Sequence, residues 1–131
     1  MTGVADTRLL LTLEFPPTES VAVRIADLVE KELARQLFAP SIVVAEFIKY
    51  AGQMIGEDAA QNRLRLLKEK GLRIVSVNEG DALSAGSFLL ANRNVPIADA
   101  LIAAFVRKGA AEYVVSDDPH FKVLGVKTKW I

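Results

Sequence analysis

Apolar and polar positions in this chain of 131 residues follow helical spacing over three long stretches. Over 21–37 the apolar residues recur every three or four positions with charged residues between them, which predicts an amphipathic helix. A loop is predicted before it, over 15–20, because two adjacent prolines interrupt the pattern. Helices are also predicted over 41–52, with Ser41 as the cap despite β-branched residues after it, and over 57–70.

Strand patterns precede and follow these helical stretches. A short apolar segment over 2–5 and the runs over 74–77 and 113–115 predict strands, and the second of the three is expected to be buried. A polar turn at 116–119 follows the third run, and a last strand is predicted around Val126. Predicted strands therefore occur along the whole length of the chain.

Capping signals mark the helices that connect the later strands. Asn78 is expected to cap a helix directly after the second strand, and Pro96 to open a helix over 97–108 that Gly109 ends. Because strands alternate with helices, we predict an α/β fold, a three-layer α/β/α sandwich with a central, mainly parallel sheet. We expect a single domain over 1–131, with ligands bound at the carboxyl ends of the strands.

Composition narrows the class of protein. Hydrophobic residues make up 51% of the chain, yet no apolar run approaches the ~20 residues of a membrane helix, and no export signal is recognisable at the start. We therefore expect a soluble, cytoplasmic protein without a membrane segment. Because the chain has no cysteine, a bound metal is expected to be a hard cation held by oxygen or by the single histidine.

The charge balance argues against strong non-specific binding of nucleic acid. The 16 basic residues are matched by 16 acidic ones, so no net positive field attracts phosphates. A polarised surface is still compatible with this balance, because a carboxylate cluster that binds cations inverts its own local potential.

Four carboxylates stand at positions where chemistry is expected, although each has an ordinary structural interpretation by itself. Asp6 and Asp118 follow predicted strands and suit helix caps. Asp99 complements the dipole of its helix, and Glu46 could form a surface pair one turn along its own helix. The lone His120 is interpreted as a turn residue, because metal-binding histidines usually occur in clusters.

Together the four carboxylates predict a metal site. All of them can converge on one end of a parallel sheet, where their repulsion must be relieved by protonation or by a cation. Oxygen ligands of this kind suit Mg²⁺ or Mn²⁺. Water activated by such a cation can attack phosphorus in line, while the cation stabilises the pentacoordinate charge.

Four segments resemble the PIN-domain family, in particular the toxin ribonucleases of VapB–VapC toxin–antitoxin pairs. These segments are Asp6-Thr7, 41–46, 96–104 and 114–121. The resemblance implies a Mg²⁺- or Mn²⁺-dependent endoribonuclease that cuts RNA, is inhibited by a small VapB-like antitoxin and forms a homodimer. It implies an acidic quartet that holds the metal and performs catalysis: Asp6, Glu46, Asp99 and Asp118. It also implies two hydroxyl residues near the metal or phosphate: Thr7 and Ser116.

Three features depart from the family pattern. The first strand is short and contains Gly3, Arg8 occupies a position that is often small in relatives, and Asp117 adds a second acid beside Asp118. We assign the site to Asp118, because the family motif has a hydroxyl residue two positions before the acid and Phe three positions after it.

Three other functions are weighed against the toxin. The same chemistry could serve RNA processing or decay, and the neighbouring reading frame would distinguish that role. An inactive PIN-like binding protein is disfavoured, because all four acidic positions are filled. A phospho-acceptor signalling domain fits poorly, because it needs an acidic pair after the first strand, and here the pair Asp117-Asp118 comes late.

Overall fold

The structure, a computed structural model, describes residues 2–131 and has a central sheet of five strands. The strands are β1 (Gly3–Ala5), β2 (Phe38–Pro40), β3 (Arg73–Val75), β4 (Tyr113–Val115) and β5 (Thr128–Lys129). Their order across the sheet is β3-β2-β1-β4-β5, and every adjacent pair is parallel. Val4 in the middle strand pairs with Phe38 on one side and with Val114 on the other. The predicted parallel sheet is confirmed.

Seven helices within residues 2–131 connect the strands: α1 (Thr7–Glu14), α2 (Glu19–Ala34), α3 (Ser41–Ile55), α4 (Glu57–Glu69), α5 (Glu79–Ala91), α6 (Ile97–Arg107) and α7 (His120–Val123). The chain crosses from β1 to β2 to β3 through α1–α4, and then returns to β4 through α5 and α6. Because such connections are right-handed, this reversal puts α1–α4 on one face of the sheet and α5 and α6 on the other. The predicted three-layer α/β/α sandwich is confirmed. None of these seven helices is long and apolar enough to cross a membrane.

Local signals account for several helix ends. Asn78 caps α5 as predicted, because its side chain accepts from the Asp81 backbone N–H while the Asp81 carboxylate accepts from the Asn78 N–H. The helices α4 and α6 match their predicted spans to within one residue. Gly109, beyond α6, has a φ of 82°, which glycine adopts readily. The amphipathic helix α2 is shifted toward the start of the chain, because Thr18 caps it.

The predicted cap of α3 is wrong. Pro40 occupies the N-cap, Ser41 is the first helical residue, and the helix continues to Ile55 rather than ending near 52. The Ser41 hydroxyl instead accepts a hydrogen bond of 3.2 Å from the backbone N–H of Val77. The serine therefore ties the start of α3 to the segment that follows β3.

Three strand predictions need correction. The run at 74–77 forms β3 over Arg73–Val75, and this strand lies at the sheet edge and is half-buried rather than buried. The last strand lies at Thr128–Lys129 and not around Val126. The sequence does not predict β2, because three residues are too few to show the alternation that identifies a strand.

The core packs around β1 and β4, which fixes the position of their carboxyl ends. Both strands are buried at every residue, and the side chains of Val4 and Val114 are fully covered. At Gly3 an added Cβ atom would lie 2.7 Å from the ring of Tyr113, so the packing at the start of β1 requires glycine. This contact explains the glycine in the short first strand.

Candidate active site

The carboxyl end of β1 holds a buried carboxylate. Asp6 follows β1 directly and caps α1, because its Oδ1 accepts a hydrogen bond of 2.9 Å from the backbone N–H of Leu9. Its Oδ2 accepts a 2.5 Å bond from Ser116 Oγ, and the residue is 2% exposed. The helical connections on the two sides of β1 lie on opposite faces of the sheet, which leaves a crevice at the carboxyl end of β1. Parallel sheets bind ligands in crevices of this kind. Asp6 is thus both a helix cap and part of this crevice.

Hydrogen bonds hold the segment after β4 and orient Asp118. Ser116 Oγ donates to Asp6 and also accepts a 3.0 Å bond from the backbone N–H of Asp118. Asp118 Oδ1 accepts in turn from the backbone N–H of His120 at 2.9 Å. The loop between β4 and α7 therefore fixes the Asp118 carboxylate in the same cavity as Asp6, with Ser116 buried behind them.

Two helices bring the other two carboxylates to this place. Glu46 lies in the second turn of α3, and its Oε1 accepts a 2.5 Å hydrogen bond from Thr7 Oγ1 at the start of α1. Asp99 lies in the first turn of α6, with a side chain that is 13% exposed. One cavity of about 520 Å³ is lined by Thr7, Glu46 and Asp99 together with Asp6 and Asp118. The structure therefore brings the four predicted carboxylates together.

Burial and mutual repulsion favour protons on this cluster. Burial raises the pKa of Asp6 to about 7, although the hydrogen bonds that its carboxylate accepts lower this pKa. The charges of Asp99 and Asp118 raise the Asp6 pKa further. Burial also raises the pKa of Asp99 to about 6, again with a contribution from Asp118. Above these pH values the cavity accumulates negative charge that a cation would neutralise.

The donor atoms of the cavity suit a divalent cation. Three side chains offer ligand atoms that all lie within 4.8 Å of one another: Asp99, Asp118 and His120. Asp6 and Glu46 line the same cavity without belonging to this group. The predicted quartet is therefore divided into an inner pair, close enough to share one ion, and two flanking carboxylates. Most of the donors are carboxylate oxygens, which Mg²⁺ and Mn²⁺ accept as ligands.

His120 is the residue of this site that sequence reasoning set aside. Its Nδ1 lies 3.0 Å from Asp99 Oδ2 and 2.9 Å from Asp118 Oδ1. The interpretation as an ordinary turn residue is incomplete, because the ring contacts two carboxylates of the cavity. The sequence carries one signal for this contact, which is the position of the histidine two residues after Asp118. When an aspartate side chain accepts a hydrogen bond from the backbone N–H of the residue two positions later, that later residue lies close to the carboxylate.

Asp117 lies outside the acidic cluster. Its Oδ1 is 2.7 Å from Nε of Arg8, and both side chains are exposed. Asp118 lines the cavity, whereas Asp117 is absent from the described lining. Arg8 is the positively charged residue among the described lining residues, and the exposed ring of Tyr50 lies at the same rim.

Comparisons with known proteins identify a family and a fold. The family model described as PIN domain matches residues 5–127. VapBC2 from Rickettsia felis, solved with a DNA fragment from its promoter, is 16% identical with a TM-score of 0.75, over 99% of this chain and 98% of that chain. VapC20 from Mycobacterium tuberculosis, a sarcin-ricin loop cleaving toxin, is 17% identical with a TM-score of 0.76, over 95% and 96% of the two chains.

A third similar structure is VapBC from Salmonella typhimurium bound to DNA, which is 18% identical with a TM-score of 0.72, over 99% of this chain and 98% of that chain. No curated protein matches the sequence. Identities this low establish likeness of fold alone.

Proposed function

Because this chain belongs to the PIN-domain family, we propose that it is a Mg²⁺- or Mn²⁺-dependent endoribonuclease and the toxin of a VapBC-type toxin–antitoxin pair. One observation carries the proposal, the convergence of four carboxylates on a single cavity: Asp6, Glu46, Asp99 and Asp118. Hydrolysis of a phosphodiester requires positive charge beside the phosphate. Carboxylates are negatively charged, so this site would have that positive charge only when the carboxylates hold a cation.

The inner pair of carboxylates is proposed to hold the cation. Asp99 and Asp118 would supply direct ligands, and Asp6 and Glu46 would flank the ion or hold water around it. When bound, the cation would supply the positive charge that stabilises the negative charge developing on the phosphate. The raised pKa values of Asp6 and Asp99 support this role, because burial and, to a lesser extent, repulsion by other carboxylates disfavour their charged forms, and a bound cation would offset both effects.

Two hydroxyl residues are proposed to position the flanking carboxylates. Ser116 donates to Asp6, and Thr7 donates to Glu46. Each hydrogen bond restrains one carboxylate oxygen, so the acidic side chains cannot rotate away from one another under their mutual repulsion. Neither hydroxyl needs to contact the substrate for this role.

The rim of the cavity suits a single strand of RNA. Arg8 offers a guanidinium to a neighbouring phosphate, and Tyr50, a residue that is 42% exposed, offers a base the ring face opposite the Lys49 ammonium, which lies 5.0 Å from the ring centroid. Because the chain has no net charge, we expect binding to depend on such local contacts and on the bound cation.

An antitoxin partner is part of the proposal. A groove of about 540 Å³ on the α1–α4 face has mainly apolar walls, with Glu30 and Lys70 among its lining residues. Its larger apolar residues are Leu13, Val29, Leu33 and Leu67. An amphipathic segment of a VapB-like protein would bury these side chains. VapBC complexes among the similar structures support the existence of such a partner.

We propose that the chain forms a homodimer through the face that carries α5 and α6, which is opposite the α1–α4 face. Leu83 and Leu90 are 70% and 83% exposed, and their spacing of seven residues puts them on the same side of α5. Ile97, at the start of the adjacent α6, is also exposed. Exposed apolar side chains on one helix suit burial against a second copy of the chain.

The nuclease is tested by incubating the purified protein with structured and unstructured RNAs, in Mn²⁺, in Mg²⁺ and in chelator. We expect cleavage with either metal and none in chelator, and the variant Glu46→Gln serves as the inactive control. Undiminished cleavage in chelator would overturn the metal requirement, and no cleavage of any RNA in Mn²⁺ would overturn the nuclease.

The toxin role needs a separate test. Expression of the chain alone should arrest growth, and co-expression of the adjacent short reading frame should relieve the arrest and yield a complex that co-purifies. A chain that cleaves RNA but neither arrests growth nor binds that partner is a nuclease of RNA processing or decay.

A further inference from the structure

We propose that His120 is a nitrogen ligand of the metal site and that it shifts the preference of this site from Mg²⁺ toward Mn²⁺. The inference rests on the proposed metal-dependent function and assigns a specific role to a residue of that same cavity. It follows from the position of the imidazole, from the hydrogen bonds that hold it there and from the chemistry of nitrogen ligands.

The distances around His120 are those between neighbouring ligands of one ion. Its Nδ1 lies 2.9 Å from Asp118 Oδ1 and 3.0 Å from Asp99 Oδ2. Ligands about 2.1 Å from an octahedral ion, at right angles to each other, are roughly 3.0 Å apart. His120 Nδ1 therefore already has, from each carboxylate, the spacing of two neighbouring ligands of one cation, and the three ligand atoms all lie within 4.8 Å of one another.

The fold holds the imidazole in place. His120 is the first residue of α7, and its backbone N–H donates to Asp118 Oδ1 at 2.9 Å. The next side chain, Phe121, is fully buried and anchors the short helix in the core. The Asp118 N–H is bound in turn by Ser116 Oγ. The ring therefore does not depend on a flexible loop to reach the two carboxylates.

The histidine distinguishes this site from one made of oxygen alone. Imidazole nitrogen suits transition-metal ions, whereas Mg²⁺ prefers carboxylate, carbonyl and water oxygens. Ligation through Nδ1 requires the tautomer with its proton on Nε2, and the side chain is 40% exposed, so water can accept a hydrogen bond from Nε2–H. The alternative role is that of a hydrogen-bond donor that merely holds Asp99 and Asp118, and that role predicts no selectivity between the two ions.

The single histidine of the chain permits a direct test. The untagged protein is labelled with ¹⁵N-histidine, loaded with Mn²⁺ and studied by pulsed electron paramagnetic resonance beside the unlabelled protein. We expect a nitrogen hyperfine coupling to the bound Mn²⁺ that changes from ¹⁴N to ¹⁵N on labelling. Bound Mn²⁺ without such a coupling would overturn the inference.

A binding experiment tests the selectivity. Calorimetric titration of the metal-free protein should show that His120→Ala weakens Mn²⁺ binding at least about tenfold and Mg²⁺ binding much less. Lys122→Ala, on the exposed side of the same short helix, is the matched control and should bind both ions like the wild type. An equal loss for both ions would favour the hydrogen-bonding role and contradict nitrogen ligation.

The outcomes separate this inference from the proposed nuclease. A histidine coupling to Mn²⁺ in a protein that cleaves no RNA would sustain the ligand and refute the nuclease. Cleavage that depends on Mn²⁺, without a nitrogen coupling, would sustain the nuclease and refute the ligand. The coupling is measured on the folded wild-type protein, so it remains decisive even if His120→Ala fails to fold.

Discussion

Two buried carboxylates, Glu32 and Asp6, lie at opposite ends of the central strand and have opposite surroundings. Glu32, on α2, is fully buried beside the first residue of β1. Tyr113 Oη donates to it at 2.6 Å, and Lys129 Nζ donates at 2.8 Å. Asp6, after the last residue of β1, is nearly as buried, but the charges that act on it are those of other carboxylates.

This difference separates a structural acid from one that is available to a ligand. The ammonium of Lys129 and the phenol of Tyr113 balance Glu32 within the fold, so this site needs nothing from outside. Asp6 receives hydrogen bonds from a hydroxyl and a backbone N–H, and burial raises its pKa to about 7. A buried charge that the fold leaves unbalanced marks a candidate functional site.

The largest effect is expected from neutralising one acid of the cavity. Asp118→Asn should lower Mn²⁺-dependent cleavage at least about a hundredfold, because loss of a direct ligand should exceed the ~10–100-fold cost of losing a supporting residue. Asp117→Asn should stay close to wild type, because the Asp117 carboxylate pairs with Arg8 and is not among the described lining residues of the cavity. Both variants are assayed under conditions in which they are folded to the same extent. A dead Asp117→Asn beside an active Asp118→Asn would move the site by one residue.

At the opposite end of the strand the expected effect is on stability. Glu32→Ala should cost about 2 to 4 kcal/mol of unfolding free energy, because it leaves Tyr113 Oη and Lys129 without their acceptor. The cost stays moderate because Lys129 is 37% exposed and can turn to water. Urea denaturation measures the change, with cleavage by the folded variant as a control. A cost below about 0.5 kcal/mol would show that the network does not stabilise the fold.

The acidic cavity should give the metal-free protein an unusual pH dependence. The folded pKa values of Asp6 and Asp99, about 7 and about 6, lie above the ordinary value of 3.8. Their contribution is therefore fully present below pH 4 and is lost as the pH rises through 6 and 7. In chelator, the melting temperature should fall by several degrees between pH 5 and pH 8, and Mn²⁺ should restore it at pH 8. A flat profile would mean that burial and repulsion do not raise the pKa values of Asp6 and Asp99 in the folded protein.

The smallest expected change is in the stability of Glu46→Gln. In chelator this variant should melt no lower than the wild type, because it removes one like charge and keeps an oxygen that can accept from Thr7. Its cleavage of RNA should nevertheless be abolished. A marked drop in melting temperature would instead give Glu46 a structural role like that of Glu32.

The sequence by itself determined the elements with long or well-capped patterns. The helices α4 and α6, the Asn78 cap of α5 and the strand β4 all occur where local spacing predicts them. The four carboxylates were also identified from the sequence, because each stands beside a recognisable element and within a family motif. Their role in catalysis and in holding the metal stays a prediction, as do the homodimer and the single domain.

Only the tertiary structure decided which side chains meet. The side chains that donate hydrogen bonds to Glu32 lie 81 and 97 positions away, and no local pattern links them to it. The edge position of β3 depends on the order of five strands, and the contact of His120 with Asp99 spans 21 residues. Periodicity records which face of an element is apolar, whereas packing of the whole chain sets which faces touch. The sequence alone therefore does not distinguish a structural acid, such as Glu32, from an acid of the candidate active site, such as Asp6. Their neighbours in the folded chain make that distinction.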